Sequence, residues 1–434
     1  MTPVSMYAQP LRPRLRSREL ALLIFPLALT ALGFIVLQLL HNHPVTAGPL
    51  WPALALIGAA LVAHGLLSLF APDADQTLLP LALTLNGLGL VMIERLASNF
   101  TARQTTAMLI GLAVALALAI WPDTLRLLER ARYSLLVPGI LLLLLAVLIS
   151  LTPFGSSRAL FLTVGRFGFQ PSELLKLLLV IFLAGYLDFH REKFVTFRLS
   201  RPFRDVRWLW VYFPMLGMWG FSMLLLVWQR DLGAALLFFG TFLALAYLAT
   251  QRGDYAMLGV GLFAVGAAAA YTLFAHVRER VAIWLDPWGA TIGDPYQIIQ
   301  GLLAVANGGI LGQGLGQGFP DFVPVVHSDF ILAAVAEEWG LAGVLAVIGI
   351  FLLLLLRGFD ISLREPDGYR QLLASGLTTL LALQALIIMA GSLRLIPLTG
   401  ITIPFLSYGG SSLVTMYALL GVLLRLSRDT NCEP

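Results

Sequence analysis

Charged side chains are scarce in this sequence. They make up 12% of 434 residues, against about a quarter in a soluble globular chain, while 59% of the residues are apolar and the mean hydropathy is +0.86. That excludes a disordered or collagen-like chain. There is one cysteine, Cys432, so no internal disulfide can form and a disulfide-stapled fold is excluded. Lysine is nearly absent: Lys176 and Lys193 stand beside 26 arginines within a total of 28 basic residues. The pI near 9.3 invites a nucleic-acid reading, but the basic residues must first be placed by topology.

What is abundant is apolar sequence in stretches of spanning length, roughly 20 residues each. Windows between charged or Pro/Gly-rich breaks fall near 19–40, 50–71, 77–96, 104–122, 133–151, 171–188, 208–228, 231–250, 255–275, 329–356, 370–391 and 402–425. With a cytoplasmic N-terminus, nineteen basic residues fall on the cytoplasmic side and eight outside. Positive charge is retained inside, so this predicts an all-α polytopic membrane protein of about twelve helices with both termini cytoplasmic. The high pI is mostly this bias, and no nucleic-acid partner is expected. The first apolar segment is too long for a signal-peptide core and is kept as an anchor. One large external loop, 276–328, is of a length that usually carries function.

Ionisable groups in a span are costly unless paired or facing a wet cavity, which makes each a candidate site. Gln170-Pro171-Ser172-Glu173 opens the sixth span, with Lys176 one turn on. Glu173 and Lys176 share a helix face. They are either a self-neutralising pair or, with Arg158 and Arg166 on the preceding loop, a cradle for a diphosphate. The Gly-rich run 307–318 lacks the strand or the Gly-Lys-Ser/Thr that nucleotide binding needs, so no nucleotide is expected, and no haem. Flexible or re-entrant backbone accounts for it better.

His327-Ser328-Asp329-Phe330 stands at the mouth of the tenth span. Asp329 is either that helix's N-cap or a general base or metal ligand facing a cavity. Glu337 lies about 80° around the same helix, with Glu338 beside it, and the pair would either meet arginines or stay protonated. Gln229-Arg230-Asp231-Leu232-Gly233 puts a charge pair near the outer surface, and Ser407-Tyr408-Gly409-Gly410-Ser411-Ser412 lets helices approach closely.

Taken together and in order, these segments resemble the shape, elongation, division and sporulation (SEDS) family, whose members include RodA, FtsW and SpoVE. The matching pieces also include Asp294-Pro295-Tyr296-Gln297. The resemblance covers roughly 77–426 and implies a ten-helix core, preceded by residues 1–76 with two extra helices and followed by a tail at 427–434. It implies a peptidoglycan glycosyltransferase that polymerises lipid II at the outer face of the bacterial cytoplasmic membrane. A class B penicillin-binding protein would be the transpeptidase partner, and a divalent cation, Mg²⁺ or Mn²⁺, would support activity.

The family's essential aspartate maps onto Asp329 and its conserved lysine onto Lys176. The resemblance differs in three places: Arg230 stands where proline is usual, Val325 where glutamate is, and Ala159 where an aromatic is. In the reaction implied, Asp329 is the base, with His327 and Ser328 beside it. Lys176, Arg158, Arg166, Arg278 and Arg280 are candidates for the diphosphate, with Gln170 and Glu173 lining the same site. The metal ligands stay open, Asp329 being one possibility. A lipid-linked sugar flippase and a non-catalytic scaffold are the competing readings.

Overall fold

The structure, a computed structural model, describes residues 16–40, 46–150, 162–164, 167–196, 231–289 and 295–430, with Gly217, Gly220 and Leu224 singly. Apart from those three single residues, the span expected at 208–228, and with it Arg158, Arg166, Gln229, Arg230 and Asp294, lies outside the described residues.

Helices dominate. They are α1 (Ser17–Leu40), α2 (Ala47–Phe70), α3 (Leu78–Ile120), α4 (Thr124–Arg130), α5 (Arg132–Ser150), α6 (Pro171–Phe189) and α7 (Arg191–Thr196). After the undescribed stretch come α8 (Leu232–Thr250), α9 (Gly253–Leu273), α10 (Ala275–Leu285), α11 (Tyr296–Gly308), α12 (Ile331–Arg364), α13 (Gly368–Ser392) and α14 (Gly410–Thr430). Among the described residues, eight helices are long and apolar enough to cross a membrane. One antiparallel hairpin, β1 (Leu162–Val164) with β2 (Phe167–Phe169), departs from the all-α expectation.

Helix α3 is the frame of the bundle. At Ala97 the backbone leaves the helical region (φ −160°, ψ 67°). Tyr417 shows what happens there: its hydroxyl donates to Asn86 Oδ1 at 3.3 Å, while its ring lies against Gly111. A straight helix would hold residues 86 and 111 about 37 Å apart, so α3 folds back at Ala97 into two limbs. These limbs coincide with the windows 77–96 and 104–122.

Ahead of them, α1 and α2 are fastened by a buried arginine. Arg16 donates to the carbonyls of Ala71 (2.9 Å), Ala74 (2.7 Å) and Asp75 (2.7 Å) and pairs with Glu19 at 2.5 Å. Glu19 in turn meets His64 Nδ1 at 2.8 Å. A buried guanidinium needs this full set of acceptors to offset its desolvation. The pair of helices is thereby locked to the turn that leads into α3.

The stretch expected as one large loop, 276–328, includes most of α10, all of α11 and a 3₁₀ turn at Pro320–Phe322. Of the two accounts of its Gly-rich run, flexible or re-entrant backbone, the hydrogen bonds here speak against the flexible one. Gln313 and Gly314 N–H donate to the carbonyls of Glu337 and Glu338 (both 2.9 Å), while Leu341 N–H donates to Gly309 O (2.9 Å) and Ala342 N–H to Ile310 O (3.1 Å). The run is clamped into a break in α12 at Gly340, where φ is +69°. The last helix, in turn, starts at Gly410 rather than at 402, because residues 399–409 form a segment whose polar backbone is satisfied from elsewhere.

Candidate active site

The segment 398–412 is the hub of the site. Asn86 Nδ2 on the first limb of α3 donates to Phe405 O (3.1 Å). Gln104 on the second limb donates to Ser407 O (3.1 Å) and accepts from Gly409 N–H (3.2 Å). These buried amides supply the partners that a non-helical backbone at this depth requires. Phe405 sits at φ +62°, an unusual conformation for a bulky residue, with its ring edge-on to Tyr417.

From this hub run the ties to each candidate group. Ser407 Oγ donates to Ser328 O (2.6 Å) and Tyr408 N–H to His327 O (2.9 Å). The His327 ring stacks on Phe100 and meets Tyr408 edge-on. Burial lowers its pKa, so it is neutral at pH 7.

Asp329 follows, and it does not cap α12. That helix begins at Ile331 with Phe330 at the N-cap and no side-chain cap bond. The Asp329 carboxylate accepts only from Ser328 Oγ (3.0 Å), and no other hydrogen bond reaches it among the described residues. Burial raises its pKa above the ordinary aspartate value, against smaller lowering influences from Ser328 and the nearby Arg280. Because Asp329 precedes the helix, the helical-wheel relation expected with Glu337 does not apply.

Arg280 on α10 donates to Leu398 O (2.8 Å) and Thr399 O (3.3 Å), which anchors it to the start of the hub. Arg278 is exposed and makes no hydrogen bond or ion pair among the described residues.

The other end of the hub reaches α6. Ser411 Oγ accepts from Gln170 N–H (3.1 Å) and donates to Gly168 O (3.3 Å). Pro171 opens the helix where its missing N–H costs nothing, and Glu173 in the first turn suits the positive helix end. Lys176, 3% exposed, pairs with Glu173 Oε2 at 2.5 Å and donates to Gln384 Oε1 on α13 at 2.7 Å. Gln384 closes the circuit by donating to Thr402 O (2.9 Å), back in the hub.

Asp231 caps α8 by accepting from Ala234 N–H (3.0 Å), and it also accepts from Ser172 (3.3 Å) and Gln170 (3.4 Å). Burial raises its pKa as well. Asp231 thus has an inward capping role, while Arg230, the other half of the expected charge pair, lies outside the described residues.

The self-neutralising pair exists, and it is buried. Removing one partner of such a pair costs roughly 3–5 kcal/mol, because the other charge is stranded. Lys176→Met is expected to lose stability by that order in chemical denaturation. Lys176→Met/Glu173→Leu is expected to regain most of it without regaining activity. Full activity in the double variant would show that the pair is only structural.

Three further polar groups were not read from the sequence as site residues: Asn86, Gln104 and Gln384. The signal that points to them is an amide inside an apolar window, which is costly unless bonded. Arg95 is a fourth. It reaches Glu338 (3.2 Å), Asp321 (3.2 Å) and Gly318 O (3.1 Å), which answers the expectation that the adjacent glutamates would meet an arginine. Glu337 Oε1 accepts from Phe319 N–H (3.2 Å), while its buried Oε2 has no hydrogen bond among the described residues. A groove of about 660 Å³ between α2 and α3, lined by Leu66, Leu112 and Trp121 among others, contains none of these polar groups.

These features define a multi-pass membrane protein with a polar site built around a non-helical segment near one end of its bundle. Residues 76–432 match the FtsW/RodA/SpoVE family of cell cycle proteins. The chain belongs to that family. Peptidoglycan glycosyltransferase RodA of Mycobacterium tuberculosis is 38% identical over 96% of this chain and 92% of its own length. Stage V sporulation protein E of Bacillus subtilis is 37% identical over 61% of this chain and 70% of its own. A solved chain from a study of the structural coordination of polymerization and crosslinking by a peptidoglycan synthase complex superposes with a TM-score of 0.68. That chain is 29% identical, over 83% of this chain and 99% of its own length.

Proposed function

We propose that this chain is a peptidoglycan glycosyltransferase that polymerises lipid II, with Asp329 as general base. The relatives' names support the activity. The observation that carries the residue assignment is that Asp329 is spared from helix capping, lies near Arg280, and is tied through segment 398–412 to the Lys176 cluster.

The acceptor 4-hydroxyl attacks the anomeric carbon of the donor. One C–O bond forms and the bond to the undecaprenyl diphosphate oxygen breaks. The hydroxyl proton passes to the Asp329 carboxylate, which later releases it to water. An α-linked donor and a β-linked product mean inversion in a single displacement, so no covalent intermediate is needed. The charge growing on the leaving diphosphate is met by Lys176 and Arg280, fixed donors in a largely water-poor site. Arg158 and Arg166 remain candidates for the same duty.

A divalent ion, Mg²⁺ or Mn²⁺, belongs to the proposal as a companion of the substrate diphosphate. Among the described residues no three His, Cys, Asp or Glu side chains come together to hold one, so no step is routed through it. The proposal also includes twelve spans with both termini cytoplasmic, the site at the outer face of the bacterial cytoplasmic membrane, and residues 77–426 as the family core behind two extra helices. A class B penicillin-binding protein is the proposed partner.

The test is glycan synthesis from purified lipid II with Mg²⁺ or Mn²⁺, the chain being co-purified with that partner and the partner's transpeptidase serine blocked. Long glycan from wild type supports the reading. Lipid II translocated across vesicles without any polymer would replace it with a flippase.

A further inference from the structure

Lys176 is held from two directions, and only one of them is its own helix. Glu173 lies one turn back on α6 and satisfies the charge, but two long side chains on one helix face can shift together. Gln384 comes from α13, is fully buried, and cannot shift without breaking a second bond. Its orientation is forced. An ammonium only donates and a carbonyl only accepts, so Oε1 must face Lys176 and Nε2 must face Thr402 O. A glutamine in an apolar window is costly unless both ends of its amide are used, and here both are.

The ammonium has three N–H donors. Gln384 takes one in a hydrogen bond, Glu173 Oε2 stands 2.5 Å away as an ion partner without a hydrogen bond, and no other partner for Lys176 Nζ occurs among the described residues. The fixed acceptor on Gln384 orients the tetrahedral nitrogen, and with the carboxylate on one side it limits where the remaining donors point. A buried N–H without an acceptor is expensive, which suits a site that receives an anionic oxygen.

From this geometry we infer that Gln384 is a positioning residue that aims the free N–H of Lys176 at the diphosphate of the lipid-linked donor and ties that aim to the hub at Thr402. The inference rests on the glycosyltransferase reading above. Gln384 itself touches no reacting atom; it acts through Lys176.

The test is a double-mutant cycle on the full chain with its transpeptidase partner, measuring kcat and KM for lipid II polymerisation. The variants are Gln384→Met, which keeps volume and removes both bonds, Lys176→Gln, and the two combined. A misplacement of about 1 Å in a positioned group is worth on the order of 10²-fold in rate. Gln384→Met is expected to lower kcat tenfold to a hundredfold with KM changed less than threefold, and to add nothing in the Lys176→Gln background. Gln384→Glu, which keeps the acceptor for Lys176, is expected to retain more kcat than Gln384→Met, and it carries the test if the methionine variant fails to fold.

Wild-type kcat in Gln384→Met beside an impaired Lys176→Gln overturns the inference alone. So does an equal loss in both backgrounds, which would make Gln384 a structural residue independent of Lys176. Wild-type activity in Lys176→Gln overturns the assignment of Lys176 to the diphosphate, and the inference with it.

Discussion

Asp329→Asn is expected to lower lipid II polymerisation by about 10²–10⁴-fold, the usual contribution of a positioned general base, while raising thermal stability at neutral pH. Both effects come from one cause. Among the described residues this carboxylate has a single hydrogen-bond partner, the Ser328 hydroxyl, and burial disfavours its charge, so its pKa stands above the ordinary aspartate value. The folded chain therefore holds the Asp329 proton more tightly than the unfolded chain does. Below the unfolded value near 3.9 both states are protonated and nothing is lost. As pH rises to the raised folded value the penalty accumulates, and above it the ionised carboxylate destabilises the native state in full.

Asparagine keeps the shape, can still accept from Ser328, and escapes the penalty. The base itself must be ionised to work. The acid limb of wild-type kcat/KM is accordingly expected to lie above the range of an unperturbed aspartate, and to be absent from whatever rate the variant retains. Unchanged polymerisation by Asp329→Asn, with rates and melting temperatures read across pH 4–8, would remove this residue from the chemistry. Lost activity with lowered stability would instead point to a structural aspartate.

Gly340→Ala is expected to cost about 3–5 kcal/mol, enough to abolish accumulation of folded protein. At φ +69° and ψ −169° the residue occupies a conformation open essentially to glycine alone. A Cβ there would stand 2.3 Å from Gly312 N and 2.4 Å from Ile310 O, both backbone atoms that cannot swing aside. The clamp between the Gly-rich run and α12 would open, and with it the placement of Glu337 and Glu338 under Phe319 and Arg95. Gly266→Ala in α9 is the control. A Cβ there meets nothing within 4 Å, and alanine in a helix interior is worth about 0.5–1 kcal/mol over glycine. Fluorescence-detected size exclusion across a temperature ramp separates the two. Equal melting of Gly340→Ala and wild type would show that the clamp is dispensable.

Much of the bundle is legible in the sequence, because hydropathy alone marks windows that α1, α2, the limbs of α3, α5, α6, α8, α9, α12 and α13 occupy to within a few residues, α12 running further at its C-terminal end. Asp329, Lys176, Glu173 and Gln170 are legible as well, since a charge or amide beside an apolar window stands out. Three things are not. Residues 402–409 read as helix by composition, yet they are held open by Asn86 and Gln104, some 300 residues away in sequence, and by Gln384 on α13. The Gly-rich run reads equally as flexible or as re-entrant backbone, because glycine permits both. Its rigidity comes from carbonyls of α12 that no local pattern reveals. Arg278 and Arg280 look equivalent in the sequence, two residues apart, yet helical rotation turns Arg280 to the hub and leaves Arg278 exposed.

The fold-back of α3 at Ala97 has a consequence for biosynthesis. Asn86 and Gln104 emerge from the ribosome early and enter the membrane with their amides unsatisfied. Their partners at Phe405, Ser407 and Gly409 are made near the very end of the chain. The α3 hairpin is thus inserted before segment 399–409 exists to pair its amides. A chain that stops before residue 399 leaves both amides without these partners, and the face meant for Tyr417 uncovered.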